Sequence, residues 1–123
     1  MPLTVVNDIG EVIRFLRDFK ALMQEGRYSI KKHYKNLQTL IDLGITYRMR
    51  DETLLALKVC DYSSGPNNDE YGKADYWIFG KVIDNVEIYI KLQIFTYSDG
   101  NERAVCISFH TAEYALGYPF KTA

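Results

Sequence analysis

Residues 87–95 read "EIYIKLQIF", in which Ile88, Ile90, Leu92 and Ile94 alternate with Glu87, Tyr89, Lys91 and Gln93. Strict alternation over this length is the mark of a β-strand with one face buried and one face turned away from the core. Two flanking segments alternate in the same way, "YWIFGKVI" at 76–83 and "NERAVCISFH" at 101–110. The connections contain Asp84-Asn85 and Asp99-Gly100, pairs that tolerate the positive φ angles of a tight hairpin turn. An antiparallel meander with the 86–96 strand in the middle follows.

The hairpins predict a register. Pairing Ser98 with Asn101 sets Ile94 opposite Val105, Leu92 opposite Ile107 and Ile90 opposite Phe109 on the apolar face. On the other face Gln93 meets Cys106, Lys91 meets Ser108 and Tyr89 meets His110. The first turn sets Gly80 opposite Tyr89 and Ile78 opposite Lys91, which leaves room for a ligand beside the tyrosine. Lys81 falls on the apolar face with Trp77, Phe79 and Ile83 and is expected to snorkel to water.

Upstream, Ile9, Val12, Ile13, Leu16, Phe19, Leu22 and Met23 recur at helical spacing, with Asn7 or Asp8 as cap and Gly26 as terminator. "RYSIKKHYK" reads as an exposed basic connector or short extended piece. A second helix is expected over Asn36–Asp42 with Leu37, Leu40 and Ile41 inward, and a third opens at Thr46 with Met49, Thr53, Leu54 and Leu57 buried. Residues 61–75 read as a loop rich in Gly, Pro, Asn, Asp and Ser. Its "GPNNDEYGKA" fails as a phosphate loop, because six residues separate the glycines and no Ser or Thr follows Lys73. The last residues, 111–123, form a tail across the sheet or its edge.

The expectation is one domain over 1–123: a helical part (7–58), a loop (61–75), a meander (76–110) and a tail. The fold class is α+β, with N-terminal helices on one face of a three-stranded or slightly larger antiparallel meander.

With 47% apolar and 25% charged residues the composition is that of an ordinary globular chain. Cys60 and Cys106 form no C-x-x-C and have no histidine at ligand spacing, so they read as reduced buried thiols, and no metal or cofactor is expected. No apolar run approaches a membrane span and the N-terminus does not read as a signal peptide, which points to the cytoplasm. The net charge is −1, yet Arg27, Lys31, Lys32, Lys35, Arg48 and Arg50 face Asp42 alone between residues 27 and 50, a local excess of +5. This run is either a solvated face or the place where a polyanion is met.

Tyr89, Lys91, Ser108 and His110 therefore converge on one patch. An imidazole is the natural proton carrier near neutrality, a lysine supplies fixed positive charge, and a phenol donates or orients a hydrogen bond. Without a metal cluster in the sequence, this set best suits metal-independent RNA cleavage by attack of a 2′-hydroxyl on the adjacent phosphate. Ser108 lacks both a G-x-S-x-G elbow and a carboxylate orienter, which argues against a hydrolase triad. Arg27, Tyr28, Lys31, Lys32, Tyr34 and Lys35 would hold single-stranded mRNA by charge and base stacking. The alternative is a non-enzymatic binding module that recruits a protein or small ligand on the same sheet face. A third is a structural subunit for which these residues are ordinary surface.

The run "DY" (61–62), Trp77, "IYIK" (88–91) and "ISFH" (107–110), with "LGIT" (43–46) upstream of a helix, resembles the motility quorum-sensing regulator (MqsR) family of bacterial type II toxins. The resemblance spans roughly residues 9 to 110 and implies a RelE-like α/β fold, metal-independent mRNA endonuclease activity and a cognate antitoxin protein as partner. It further implies that Tyr89 is the family's catalytic tyrosine, Lys91 its following lysine, and His110 the basic residue that ends the last strand. Two positions depart from the family pattern, with Ser64 in place of a lysine and Ile78 in place of a glutamine. Either His110 takes a larger share of proton transfer, or the chain is a divergent branch with another task.

Overall fold

A computed structural model describes residues 8–69, 72 and 74–122. Asn7 as a helix cap, and Glu70 and Lys73 of the loop, lie outside the described residues. The described chain is α+β, with three helices and a five-stranded mixed sheet. The elements are α1 (Ile9–Gln24), β1 (Tyr28–Ile30), α2 (Tyr34–Leu43), α3 (Tyr47–Leu55), a short 3-10 turn (Val59–Asp61), β2 (Tyr62–Asn67), β3 (Tyr76–Ile83), β4 (Val86–Thr96) and β5 (Glu102–Thr111). The sheet order is β1-β5-β4-β3-β2, and β1 runs parallel to β5.

The expected three-stranded meander is thus the centre of a larger sheet. β2 occupies part of the stretch 61–75 read as loop. Its sequence "YSSGPN" hides the strand, because Gly, Pro and small polar residues break both alternation and ladder, and its pairing with β3 shifts register twice. β1 is a three-residue strand in the stretch read as a basic connector or short extended piece, and the second of these readings holds.

Asp8 caps α1 by accepting from the Gly10 amide at 2.8 Å, and Gly26, at φ +76°, ends it. Val12, Phe15, Leu16, Phe19, Leu22 and Met23 pack into the core against Trp77, Phe79, Ile88, Ile90, Leu92 and Phe109. Ile13 belongs outside this set, being half exposed, and Phe15 belongs inside it, stacked 4.8 Å from the Trp77 ring. Lys81 does reach out of the apolar face, but to an ion pair with Asp61 at 3.1 Å rather than to open water. In α3, Leu54 is buried and Leu57 is buried just beyond its end, whereas Met49 is exposed.

Helix α2 is rotated from its expected orientation, and of the three residues expected inward only Leu40 is buried. Leu37 and Ile41 face outward, while Asn36 and Thr39 are buried beside Leu40. The reason lies in the edge of β5. β1 satisfies that edge only as far as Lys31, whose amide donates to the Cys106 carbonyl, and beyond it the strand would expose unpaired backbone groups. Asn36 Nδ2 donates to the Ile107 carbonyl at 3.1 Å, Asn36 Oδ1 accepts from the Phe109 amide at 2.9 Å, and Thr39 Oγ1 accepts from the Thr111 amide at 3.1 Å. Two polar side chains of a helix continue the ladder that a strand began. The helices pack against the sheet, with Leu40 of α2 and Leu54 of α3 in the same core cluster as α1, and α2 in addition closes the β5 edge.

The register is as read at one end of β5 and slipped at the other. Asp84 and Asn85 adopt φ of 50° and 64°, as a type I′ turn requires, and Gly80 pairs with Tyr89 and Ile78 with Lys91. The second hairpin has a three-residue loop: the Tyr97 amide donates to the Asn101 carbonyl, and Gly100 sits at φ +89°. Leu92 consequently pairs with Cys106, Gln93 with Val105 and Ile94 with Ala104. Cys106 lies in the core and Val105 on the other face, the reverse of expectation. A bulge at Ile107 then restores the pairs Lys91–Ser108, Ile90–Phe109 and Tyr89–His110.

Candidate active site

The face of the sheet away from α1 carries Glu87, Tyr89, Lys91 and Gln93 on β4, and the two ends of this file have structural duties. Gln93 Nε2 donates to the Ala74 carbonyl at 3.4 Å, which ties it to the loop before β3. Glu87 accepts from the Leu116 amide at 3.0 Å and from the Tyr118 hydroxyl at 2.7 Å, which ties it to the C-terminal tail. The gap beside Gly80, read as room for a ligand, is filled from within: a Cβ there would lie 2.1 Å from Tyr118 Oη and 2.8 Å from Leu116 Cδ1. Leu116 and Tyr118 thus cover part of this face, and Ile78 on it is fully buried. The tail continues to Phe120, which stacks at 5.5 Å on Tyr62 of the core cluster on the other side of the sheet.

Between the two tethered ends lie Tyr89 and Lys91. The Tyr89 ring stacks on the His110 imidazole across the β4–β5 pair, with centroids 5.3 Å apart and planes 24° apart. Its hydroxyl has no hydrogen-bond partner among the described residues, and no fully buried side-chain polar atom is left unsatisfied, so the oxygen is not sealed from solvent. Burial of the phenol, with Tyr114, Tyr76 and Glu113 nearby, pushes its pKa up to about 12, so it is a protonated donor at neutral pH. His110 Nδ1 lies 3.0 Å from the Thr111 carbonyl. A carbonyl only accepts, so Nδ1 carries the proton of the neutral ring and Nε2 keeps a free lone pair. Lys91 shares the face, but its ammonium rests 4.1 Å from the centroid of the Tyr76 ring rather than against His110.

The six basic-run residues do not form one strip. Arg27 pairs with Glu25 at 3.4 Å, and Tyr28 packs against the core with its hydroxyl donating to Asp51 at 2.8 Å, which removes it from stacking duty. Lys35 is ion-paired with Glu113, whose carboxylate feels the His110 ring, so this lysine borders the candidate site. Lys31 and Lys32 lie on the rim of a separate pocket between β1, α2 and α3, and Tyr34 is exposed on α2 with its ring against His33.

The sequence reading missed Tyr76 as the seat of the Lys91 ammonium and Glu113 and Tyr114 as neighbours of the Tyr89–His110 pair. The aromatic, proline-containing tail was the available signal for the latter two. Among the described residues no group of three or more His, Cys, Asp or Glu side chains is arranged to hold a metal ion, and no helix is long and apolar enough to cross a membrane. Burial pushes the Cys106 thiol up to about 12, which keeps it inert.

Comparison of the chain with protein-family models, with curated proteins and with solved structures finds no match.

Proposed function

We propose that this protein is a cytoplasmic endoribonuclease toxin that cleaves single-stranded mRNA by attack of the 2′-hydroxyl on the adjacent phosphate, held in check by a cognate antitoxin as the MqsR resemblance implies. The observation that carries the reading is the stacked Tyr89–His110 pair, with a phenol hydroxyl not sealed from solvent and a free imidazole Nε2 side by side on an otherwise tethered face. His110 Nε2 takes the proton of the 2′-hydroxyl as the 2′-oxygen bonds to phosphorus. The bond from phosphorus to the 5′-oxygen breaks, leaving a 2′,3′-cyclic phosphate and a 5′-hydroxyl; the departing oxygen takes its proton from solvent water, and His110 returns the proton it holds to solvent afterwards. Tyr89, protonated at working pH, donates a hydrogen bond to the phosphoryl group as charge builds, and Lys91, swung from the Tyr76 ring, adds positive charge there. Lys35 offers a second cation at the border if the strand displaces Glu113.

Induced expression of the wild type and of Tyr89→Phe, Lys91→Ala and His110→Ala tests the proposal. The wild type arrests growth and cuts RNA, and each variant loses about a hundredfold or more in cleavage, as for removal of a general base or one transition-state hydrogen bond. A wild type that arrests nothing and cuts no RNA ends the nuclease reading. Stoichiometric capture of a partner with full tolerance of His110→Gln favours the binding module instead.

A further inference from the structure

Helix α2 turns Asn36, Thr39 and Leu40 inward, and three of its apolar residues are left facing water. Tyr34, Leu37 and Ile41 share one side of the helix, with Tyr34 71% and Ile41 73% exposed. Leu37 also lines a pocket of about 240 Å³, together with Ile30, Leu40, Phe109 and Tyr47 of α3. Large apolar side chains exposed together beside a concavity mark a contact surface rather than chance exposure. The rim is cationic: Lys31 and Lys32 have no ion-pair partner among the described residues, and Arg50, paired to Asp51 at 2.9 Å, lies 4.9 Å from the Tyr47 ring centroid.

We infer that this α2–α3 surface docks an acidic amphipathic helix of a partner protein, with an apolar side chain in the pocket, further apolar residues along Leu37 and Ile41, and carboxylates against Lys31 and Lys32. Charge complementarity selects this occupant. A second copy of the chain would bring these lysines toward their own counterparts, which opposes association. An RNA strand would use the lysines and the tyrosines but has no use for the exposed aliphatic groups of Leu37 and Ile41, whereas a helix laid in an apolar groove uses both. The surface is distinct from the Tyr89–His110 face, so the inference stands whether or not the protein cleaves RNA.

The test is fluorescence anisotropy with the full chain and a labelled synthetic helical peptide bearing leucines one turn apart on one face and glutamates flanking them. Saturable binding is expected, weakened about tenfold by Ile41→Asp and about as much by Lys31→Glu with Lys32→Glu, as for loss of an anchor contact. A peptide with lysines in place of the glutamates is expected not to bind. Ile41 is exposed, so Ile41→Asp keeps the fold, which circular dichroism verifies. No saturable binding, or binding indifferent to Ile41→Asp, overturns the inference. Competition by a single-stranded RNA oligonucleotide that is itself indifferent to Ile41→Asp reassigns the patch to nucleic acid, and an Ile41-dependent dimer in sedimentation reassigns it to self-association; both also overturn it.

Discussion

Replacing Asn36 by leucine probes how a helix comes to hold the strand that carries His110. Asn36 is 4% exposed and makes three hydrogen bonds: Nδ2 to the Lys31 carbonyl at 3.0 Å and to the Ile107 carbonyl at 3.1 Å, and Oδ1 from the Phe109 amide at 2.9 Å. Leucine nearly matches its size and removes all three. The Phe109 amide is left buried without a partner, at roughly 1–3 kcal/mol, and the two part-buried carbonyls lose about 0.5–1.5 kcal/mol each. Burying the leucine side chain returns about 1.5–3 kcal/mol. From the middle of each range the net loss is about 2 kcal/mol, within the usual span for a single substitution. Urea unfolding at unchanged m-value is expected to show it as a lower midpoint, and amide exchange at Phe109 and Thr111 should accelerate with it. Gln38→Leu, at an exposed position of the same helix, should stay within about 0.5 kcal/mol. A loss under about 1 kcal/mol for Asn36→Leu, with Phe109 exchange unchanged, would refute the idea that α2 side chains complete the β5 ladder.

The tail gives three further predictions with its neighbours. Gly80→Ala drives a methyl group against Tyr118 and Leu116 and is expected to cost about 1–3 kcal/mol by thermal unfolding; Tyr118→Phe in the same chain should recover part of it, and simple additivity would argue against this packing. Lys35 holds the Glu113 carboxyl below its usual value of 4.5, so the latch contributes fully above that value and is lost as pH falls through the depressed one; Glu113→Gln should abolish that acid-side loosening of the tail in amide exchange, and persistence of the full effect would contradict it. In a spectroscopic phenolate titration, Tyr89→Phe should remove one tyrosine ionising near pH 12, whereas loss of amplitude only well below that pH would show that burial does not hold this phenol protonated.

The legible parts of the fold are those where local pattern and tertiary demand agree. The α1 stripe, the Asp84-Asn85 turn and the alternation of β4 each state one face or one turn, and the structure uses them so. β2 was illegible because Gly65, Pro66 and two serines carry no periodicity, and its burial comes from its neighbours. The side of α2 was misread because apolar residues on a short helix are ordinarily turned inward. Here the unpaired edge of β5 wants hydrogen bonds more than the core wants Leu37 and Ile41, so Asn36 and Thr39 take the inner side. At the candidate site, the Tyr89–His110 pairing was read correctly through two offsetting errors: a two-residue turn assumed for a three-residue one, and a bulge at Ile107 that no sequence signal announces. The Lys91 ammonium was placed on the right face but not on its Tyr76 seat, because side-chain direction beyond the face depends on a neighbour from β3.

The central claim, that Tyr89 and His110 act together on the phosphate next to a 2′-hydroxyl, is met most directly by identifying the ends of RNA cut by the purified protein. A 2′,3′-cyclic phosphate and a 5′-hydroxyl are predicted, with cleavage abolished by a 2′-deoxy sugar at the scissile position and by His110→Ala. A 5′-phosphate with a 3′-hydroxyl, or undiminished cutting of the deoxy-substituted strand, would contradict it.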